Sequence, residues 1–368
     1  FLFHPRATVA DLTFHRGKYN NTGATYGGNL HMTAGLVTNC AFTSGYCPYG
    51  GQATMRGGAA YGCTFASGSL SSSGTDRHAG GLNVYGTATV ADCLIRNNSG
   101  CYGGGLYVSA ANAVVTNCVI RSNHAAGCGG GGITLVNGLV THCVVTNNTT
   151  AAAGGGVQMR NGTLRNCVVA VNKSTNTGTK WSANAAGSSG GGGLNIFGGT
   201  AENCTFYGDT SASGTRCDEL SMGGGTVRNC LFLGTDADAS FDVRKSGGTA
   251  TYCYFRTEIA GTGNLTGDAK VSDPANGDFT LLFGSPCIDA GLEVADVATD
   301  IRGAPRPVDG NDDGTAAWDI GAYEMDFAGQ LAASFEADVT TGGGATAVTL
   351  TASVSGGTAP YTYTWTIG

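Results

Sequence analysis

Residues 154–172 read GGGVQMRNGTLRNCVVAVN, and two other stretches fall into the same frame: GGGITLVNGLVTHCVVTNN at 130–148 and GGGLNIFGGTAENCTFYGD at 191–209. A glycine triplet, an apolar-x-apolar run, a glycine, a polar residue with cysteine, and a second apolar-x-apolar run all align. Cys143, Cys167 and Cys204 each follow the first apolar residue (Ile133, Val157, Leu194) by ten positions. Self-similarity at such a period signals a solenoid. The apolar residues alternate, as in Leu194/Ile196 and Cys204/Phe206, which is strand periodicity. One unit is too short to bury its own apolar face, so neighbours must stack. Short strands recurring in one order give a parallel coil, so the expected fold is all-β, a right-handed parallel β-helix. About five inward side chains per coil, each worth roughly 1.5–3 kcal/mol on burial, would form its core.

Working outward, nine cysteines occupy the same slot: Cys40, Cys63, Cys93, Cys118, Cys143, Cys167, Cys204, Cys230 and Cys253. Leu12 takes it in a degenerate first unit, where 9–14 parallels 90–95, so about ten coils are expected over residues 1–262. With strands ~4.8 Å apart the rod would be on the order of 45–50 Å long. No CxxC pair occurs, which speaks against zinc ribbons and thioredoxin-like chemistry and for buried thiols acting as small core residues.

Composition agrees. Glycine supplies 63 of 368 residues and DEKR only 12%, too little charge for helical bundles. A hydrophobic content of 41%, recurring in register, argues against disorder. The net charge of −7 contains no basic block, so nucleic-acid binding is not expected. No apolar run is long enough to span a membrane. The chain opens at Phe1 without Met and stops at Gly368 inside a strand-like run, as expected of part of a longer polypeptide.

Corners account for the other repeat letters. Asn-Gly and Gly-Gly pairs (137–138, 161–162, 198–199) supply positive φ. Asn precedes cysteine at 39, 117, 166, 203 and 229, and Asp takes that place at 11 and 92. A second column comprises Asn98, Asn123, Asn148, Asn172 and Asp209. Both columns are read as corner ladders of hydrogen bonds; sugar or metal binding is the other use of aligned carboxamides. Two loops leave the frame, 67–78 and 173–189, the second carrying Trp181.

Beyond Cys253 the texture changes. Residues 263–328 carry SPCIDAG, DIRGAPRP and DIGAYE, and 329–368 alternate Thr, Val and Ala like the first strands of an immunoglobulin-like sandwich.

The GGG[LIV] plus C-x-[FVI]-x-x-N units (103–106 with 118–123) resemble the repeats of chlamydial polymorphic outer-membrane proteins and related bacterial β-helix surface proteins. The 285–324 block is similar to the choice-of-anchor module that follows such β-helices, and the last stretch resembles the start of a PKD-type domain. These resemblances imply a small capping module, then a partial immunoglobulin-like β-sandwich, in an extracellular or surface protein of bacteria. They imply no particular reaction.

Chemistry is sparse. A polysaccharide-cleaving β-helix needs clustered carboxylates with Arg or Lys. Here the acids of the coils are scattered: Asp92, Glu202, Asp209, Asp218, Glu219, Asp236, Asp238 and Asp242. The six histidines show no ligand spacing. Asp309, Asn311 and Asp313 fit the D-x-N-x-D-G opening of a calcium loop, but position twelve is Ile320, so Asp319 or Glu324 must close the shell; an acidic turn is the alternative. Cys101 and Cys128 each lie five residues before the first apolar residue of consecutive units (Leu106, Ile133). Stacking would put their Cα atoms near ~4.8 Å, within disulfide reach, the alternative being two loop thiols. The sequence thus predicts a non-enzymatic extracellular structural or adhesive rod, self-associating or meeting a surface partner such as a glycan. The rival is a carbohydrate-binding or carbohydrate-cleaving β-helix.

Overall fold

The computed structural model describes residues 1–19, 26–47, 51–70, 78–127, 129–175, 190–212, 217–235, 237–326, 332–337, 349–355 and 362–364. Three parallel sheets run the length of a β-helix. Sheet A has nine strands, from Leu30–Met32 to Val243–Lys245. Sheet B has ten, from Thr8–Ala10 to Thr249–Thr251, and sheet C nine, from Thr13–His15 to Leu231–Leu233. A fourth, sheet D, adds five two-residue strands between Ser99–Gly100 and Thr210–Ser211. Register is strict: Leu106 pairs with Ile133, Ile133 with Val157 and Val157 with Leu194.

Eight coils contain strands of A, B and C together, rather than the ten expected. The Leu12 unit has only a bridge, Leu2 to Met32, where its sheet A strand should be. The Cys253 unit has Tyr254 bridging Leu231 and Leu265 in place of a sheet C strand.

In sheet A the first and third residues of each triplet face inward, and in B and C the middle one does. Stacked phenylalanines fill both ends of the core. Phe14, Phe42 and Phe65 sit 5.0 and 5.1 Å apart, and Phe206, Phe232 and Phe255 sit 4.7 and 5.0 Å apart. Ile95, Ile120, Val145 and Val169 continue that column between them.

The nine slot cysteines form one buried column of unpaired thiols. Each Sγ donates to the carbonyl two residues back at 3.0–3.3 Å. The residues before the cysteines form no continuous ladder, contrary to expectation; among the described residues Asn166 Nδ2 meets His142 Nε2 of the coil before at 3.3 Å. Each is a one-residue corner in the left-handed region: Asn39 at φ 50°, Asp92 at 56°, Asn117 at 52°, Asn166 at 47°. Asn and Asp tolerate that region better than other non-glycine residues, which explains the letters. Sheet C ends in a second such corner, with Ser122, Asn147 and Val171 at 55°, 55° and 58°.

The rung that follows this second corner is the true ladder. Asn98, Asn123, Asn148 and Asn172 each donate their backbone N–H and their Nδ2 to the Oδ1 of the next member, ending on Asp209, at 2.6–3.0 Å. Each Nδ2 also reaches a carbonyl one coil back: Phe65, Ile95, Ile120 and Val145. Glycine triplets press flat on this ladder and on sheet D. A Cβ on Gly155 would lie 2.4 Å from Gly192 O and 2.6 Å from the Lys173 backbone.

Residues 254–265 close the C-terminal end, with Phe255 on Phe232 and Ile259 against the core. The module expected as a cap instead folds back along the flank of sheet C. Phe279 and Ala322 pack on Val168 and Ala170; Leu281, Ile288 and Ile320 cluster with Leu231 and Tyr254. The corner column holds it: Asn229 exchanges two hydrogen bonds with Leu292 (2.7 and 2.8 Å), and Asn166 Nδ2 donates to Thr299 O (2.8 Å). Regular structure is scarce there, so carboxylates satisfy the backbone. Asp300 accepts from Arg302, Ala304 and Glu324 N–H, and Glu324 from Val308 and Asp319 N–H. Further on, Ala332–Ala337 and Leu350–Ser355 form an antiparallel pair. Among the described residues no helix is long and apolar enough to cross a membrane.

Candidate functional site

The outward middle residues of the first eight strands of sheet A are His31, Thr54, Asn83, Tyr107, Thr134, Gln158, Asn195 and Ser221. Outward side chains of a rod should be wet, as Arg121 on sheet C is, yet all of these except half-buried Tyr107 are buried. Four carry a buried polar atom without a hydrogen-bond partner among the described residues: His31 Nδ1, Thr54 Oγ1, Gln158 Oε1 and Asn195 Oδ1; Tyr85 Oη, just past its strand, is a fifth. Buried polar atoms are ordinarily paired; these lie beneath the surface of the face, closed off from solvent.

An aromatic platform adjoins this row. The Tyr85 and Tyr107 rings lie 5.8 Å apart, and His78 sits 4.3 Å from Tyr107, 5.5 Å from Tyr85 and 6.3 Å from Tyr102. Arg56 stands 5.2 Å over Tyr85, and Arg160 5.5 Å over Tyr102, each a cation–π contact. Burial pushes the Tyr85 and Tyr107 hydroxyls upward, so both stay protonated donors. Burial, then Arg56, drives His31 down to about 4, leaving a neutral imidazole. The face therefore presents half-buried flat rings and two exposed guanidinium groups to the outside. That set suits a polyhydroxylated ligand: rings take apolar C–H faces, and guanidinium N–H groups donate to hydroxyls.

One solved structure resembles this architecture. It is the crystal structure of pectate lyase Pel9A, 14% identical, with a TM-score of 0.48 over 86% of this chain and 88% of that one. No family model matches the sequence, and no curated protein matches it. The likeness is one of fold.

The sequence-predicted site residues lie elsewhere. Asp309, Asn311 and Asp313 are on one loop, where their oxygens accept N–H groups of Asp313, Gly314 and Thr315 at 2.8–3.2 Å. Asp319 is not with them. It is buried, and its two oxygens accept from Asp289 N–H (2.8 Å) and Met325 N–H (2.6 Å). Burial, followed by the charge of Glu324, pushes its carboxyl up to about 8. Asp289, which the calcium pattern omits, takes N–H groups of Gly310, Asn311 and Ala317. Among the described residues no group of three or more His, Cys, Asp and Glu is placed to share a metal ion. Cys101 is half-buried beside the glycine run, whereas Cys128 and Trp181 lie outside the described residues.

Several of the scattered acids have structural partners, while Asp92 is exposed. Glu202 is buried between Arg165 (2.6 Å) and Arg228 (2.6 Å), and Asp242 holds Arg256 at 2.6 Å. Asp218 accepts from Ser211 N–H, and Asp238 caps a short 3-10 turn at Ala239–Phe241. Asp236 lies outside the described residues. Sequence reasoning missed the sheet A face because its signal is slight: the middle letter of each apolar-x-apolar triplet is polar or aromatic, which reads simply as solvent-facing.

Proposed function

We propose that this chain is a non-enzymatic, extracellular adhesive rod that holds a glycan along the outer face of sheet A. The observation that carries it is the platform of half-buried Tyr85, Tyr102 and Tyr107 with the exposed Arg56 and Arg160 standing over it. In this proposal residues 1–262 are the rod, 263–328 a module braced on it, and 329–368 the start of a PKD-type domain. Display at a bacterial surface, and self-association there, belong to the same proposal.

Immobilised glycans probed with the purified chain test it. Tyr107→Ala should weaken binding about two- to tenfold, since one aromatic contact is worth roughly 0.5–1.5 kcal/mol and 1.4 kcal/mol is a factor of ten. Retention unchanged by Tyr107→Ala and Arg56→Ala together would remove the site. A second reading, cleavage of the glycan, is favoured by His78 lying beside the same rings as Arg56 and Arg160. Release of reducing or unsaturated ends from a bound polysaccharide would replace the non-enzymatic proposal with that one.

A further inference from the structure

The asparagine ladder ends on acids. At every lower rung Oδ1 accepts from the coil before, while Nδ2 donates to the next Oδ1 and to a carbonyl one coil back. Asp209 keeps the first half of this pattern: its Oδ1 accepts from Asn172 N–H (2.6 Å) and Nδ2 (2.9 Å). Its Oδ2 takes the place of a donor, yet it has no hydrogen of its own when ionised and no donor bonds to it. Glu219 supplies the next acceptor, with Oε1 receiving Asp209 N–H at 3.2 Å, and its Oε2 is likewise unpartnered. Both carboxyl groups are buried, Asp209 2% and Glu219 0% exposed. Gly193, packed on Oδ2, leaves no room for a side chain, because a Cβ there would lie 2.4 Å away.

We infer that Asp209 and Glu219 hold a single proton between them, and that this proton fastens the last rung, so the C-terminal coils are firm in acid and loosen in alkali. A protonated Oδ2 is a donor, as Nδ2 is at each lower rung, and Glu219 is then its acceptor. Two bare carboxylates would instead repel across a dry contact.

Of the charges around the pair, Arg256 attracts Glu219, but its guanidinium is hydrogen-bonded to Asp242. Asn172, from the coil before, is neutral. Asp218, beside Glu219, accepts from Ser211 N–H at 2.6 Å and adds negative charge. Asp242, on the following coil, adds more, and Arg256 is engaged on it through bonds of 2.6 and 2.7 Å. Arg244 acts on Cys217. Burial is the first cause raising both carboxyls; Asp218 then raises Asp209, while Asp209 and Asp242 raise Glu219. With folded values above unfolded ones, the native state binds the extra proton. Stability is then greatest near the ordinary carboxyl range and falls as pH rises through the raised value.

Melting curves of the whole chain between about pH 5 and about pH 9 provide the test, with Asp209→Asn alongside. The wild type should lose several degrees over that span. Asp209→Asn supplies the donor as an amide, so its curve should be flatter, matching the wild type in acid and exceeding it in alkali. Parallel curves for the two proteins would overturn the inference. Should Asp209→Asn fail to fold, infrared spectroscopy of the wild type near neutral pH decides. Asp319, raised to about 8, supplies one protonated-carboxyl band of its own there. A further band that disappears in Glu219→Gln supports the shared proton, and a protonated-carboxyl signal unchanged in Glu219→Gln overturns it.

Discussion

At the scale of single residues, the rod is built by side chains that tolerate a left-handed backbone. Asn, Asp and Gly fill most of the corner positions because an L-residue with a bulky Cβ pays about 1–2 kcal/mol there. Among the exceptions, which include Ser122, His142 and Tyr252, Val171 is the most costly. It is β-branched, holds φ 58° and is 51% exposed, so little packing compensates the strain. Val171→Asn should therefore stabilise the protein by about 1 kcal/mol, read by chemical denaturation. An unchanged or lower midpoint would mean that Val171 contributes packing the strain argument omits. The thiol column follows the same logic of size: a small, weakly polar side chain fits directly inside the corner and returns its hydrogen to a nearby carbonyl.

At the scale of elements, the glycine triplet and the asparagine rung depend on one another. Triplet backbones approach the ladder so closely that a Cβ on Gly132 would meet Asn148 Nδ2 at 2.9 Å, and one on Gly156 would meet Asn172 Nδ2 at 2.9 Å. The loop 309–314 is a second element whose letters have two uses. Its side-chain oxygens already tie N–H groups of Asp313, Gly314 and Thr315. We propose calcium binding by Asp309, Asn311 and Asp313 without Asp319, whose oxygens are committed in the interior. Calcium should raise the melting temperature of the wild type and leave Asp313→Ala unmoved. Equal shifts in both, or none in either, would make the loop a plain acidic turn.

Across the whole molecule, the decisive contact is the one between the flank module and the rod. Asn229 links them with both side-chain atoms, while its backbone carbonyl accepts from Gly321 N–H at 2.9 Å. Asn229→Gly keeps the left-handed corner but gives up both bonds to Leu292, a net loss of about 0.5–1.5 kcal/mol for each. Residues 268–326 should then be clipped by a protease more than tenfold faster, with the rod itself still resistant. Cleavage at the wild-type rate would show that the apolar contacts around Phe279 and Ile320 hold the module unaided.

What the sequence by itself determined was everything with a period. Triplet, cysteine and rung recur, and stacking identical units leaves one way to bury them, so the β-helix, its thiol core and the Asn98–Asp209 ladder were legible. Coil number was overcounted because the terminal units keep their letters while losing a strand to an unpaired end. Only the tertiary structure decided the rest. The column before cysteine proved to be corners and an anchoring line, since a φ angle and a partner 63 residues away (Asn229 to Leu292) leave no mark in the repeat. Asp319 left the calcium loop because burial, invisible in spacing, turned it inward. The sheet A face emerged for the same reason: stacking brings Arg56, Tyr85, Tyr107 and Arg160 from separate coils onto one surface, a proximity that the linear chain does not encode.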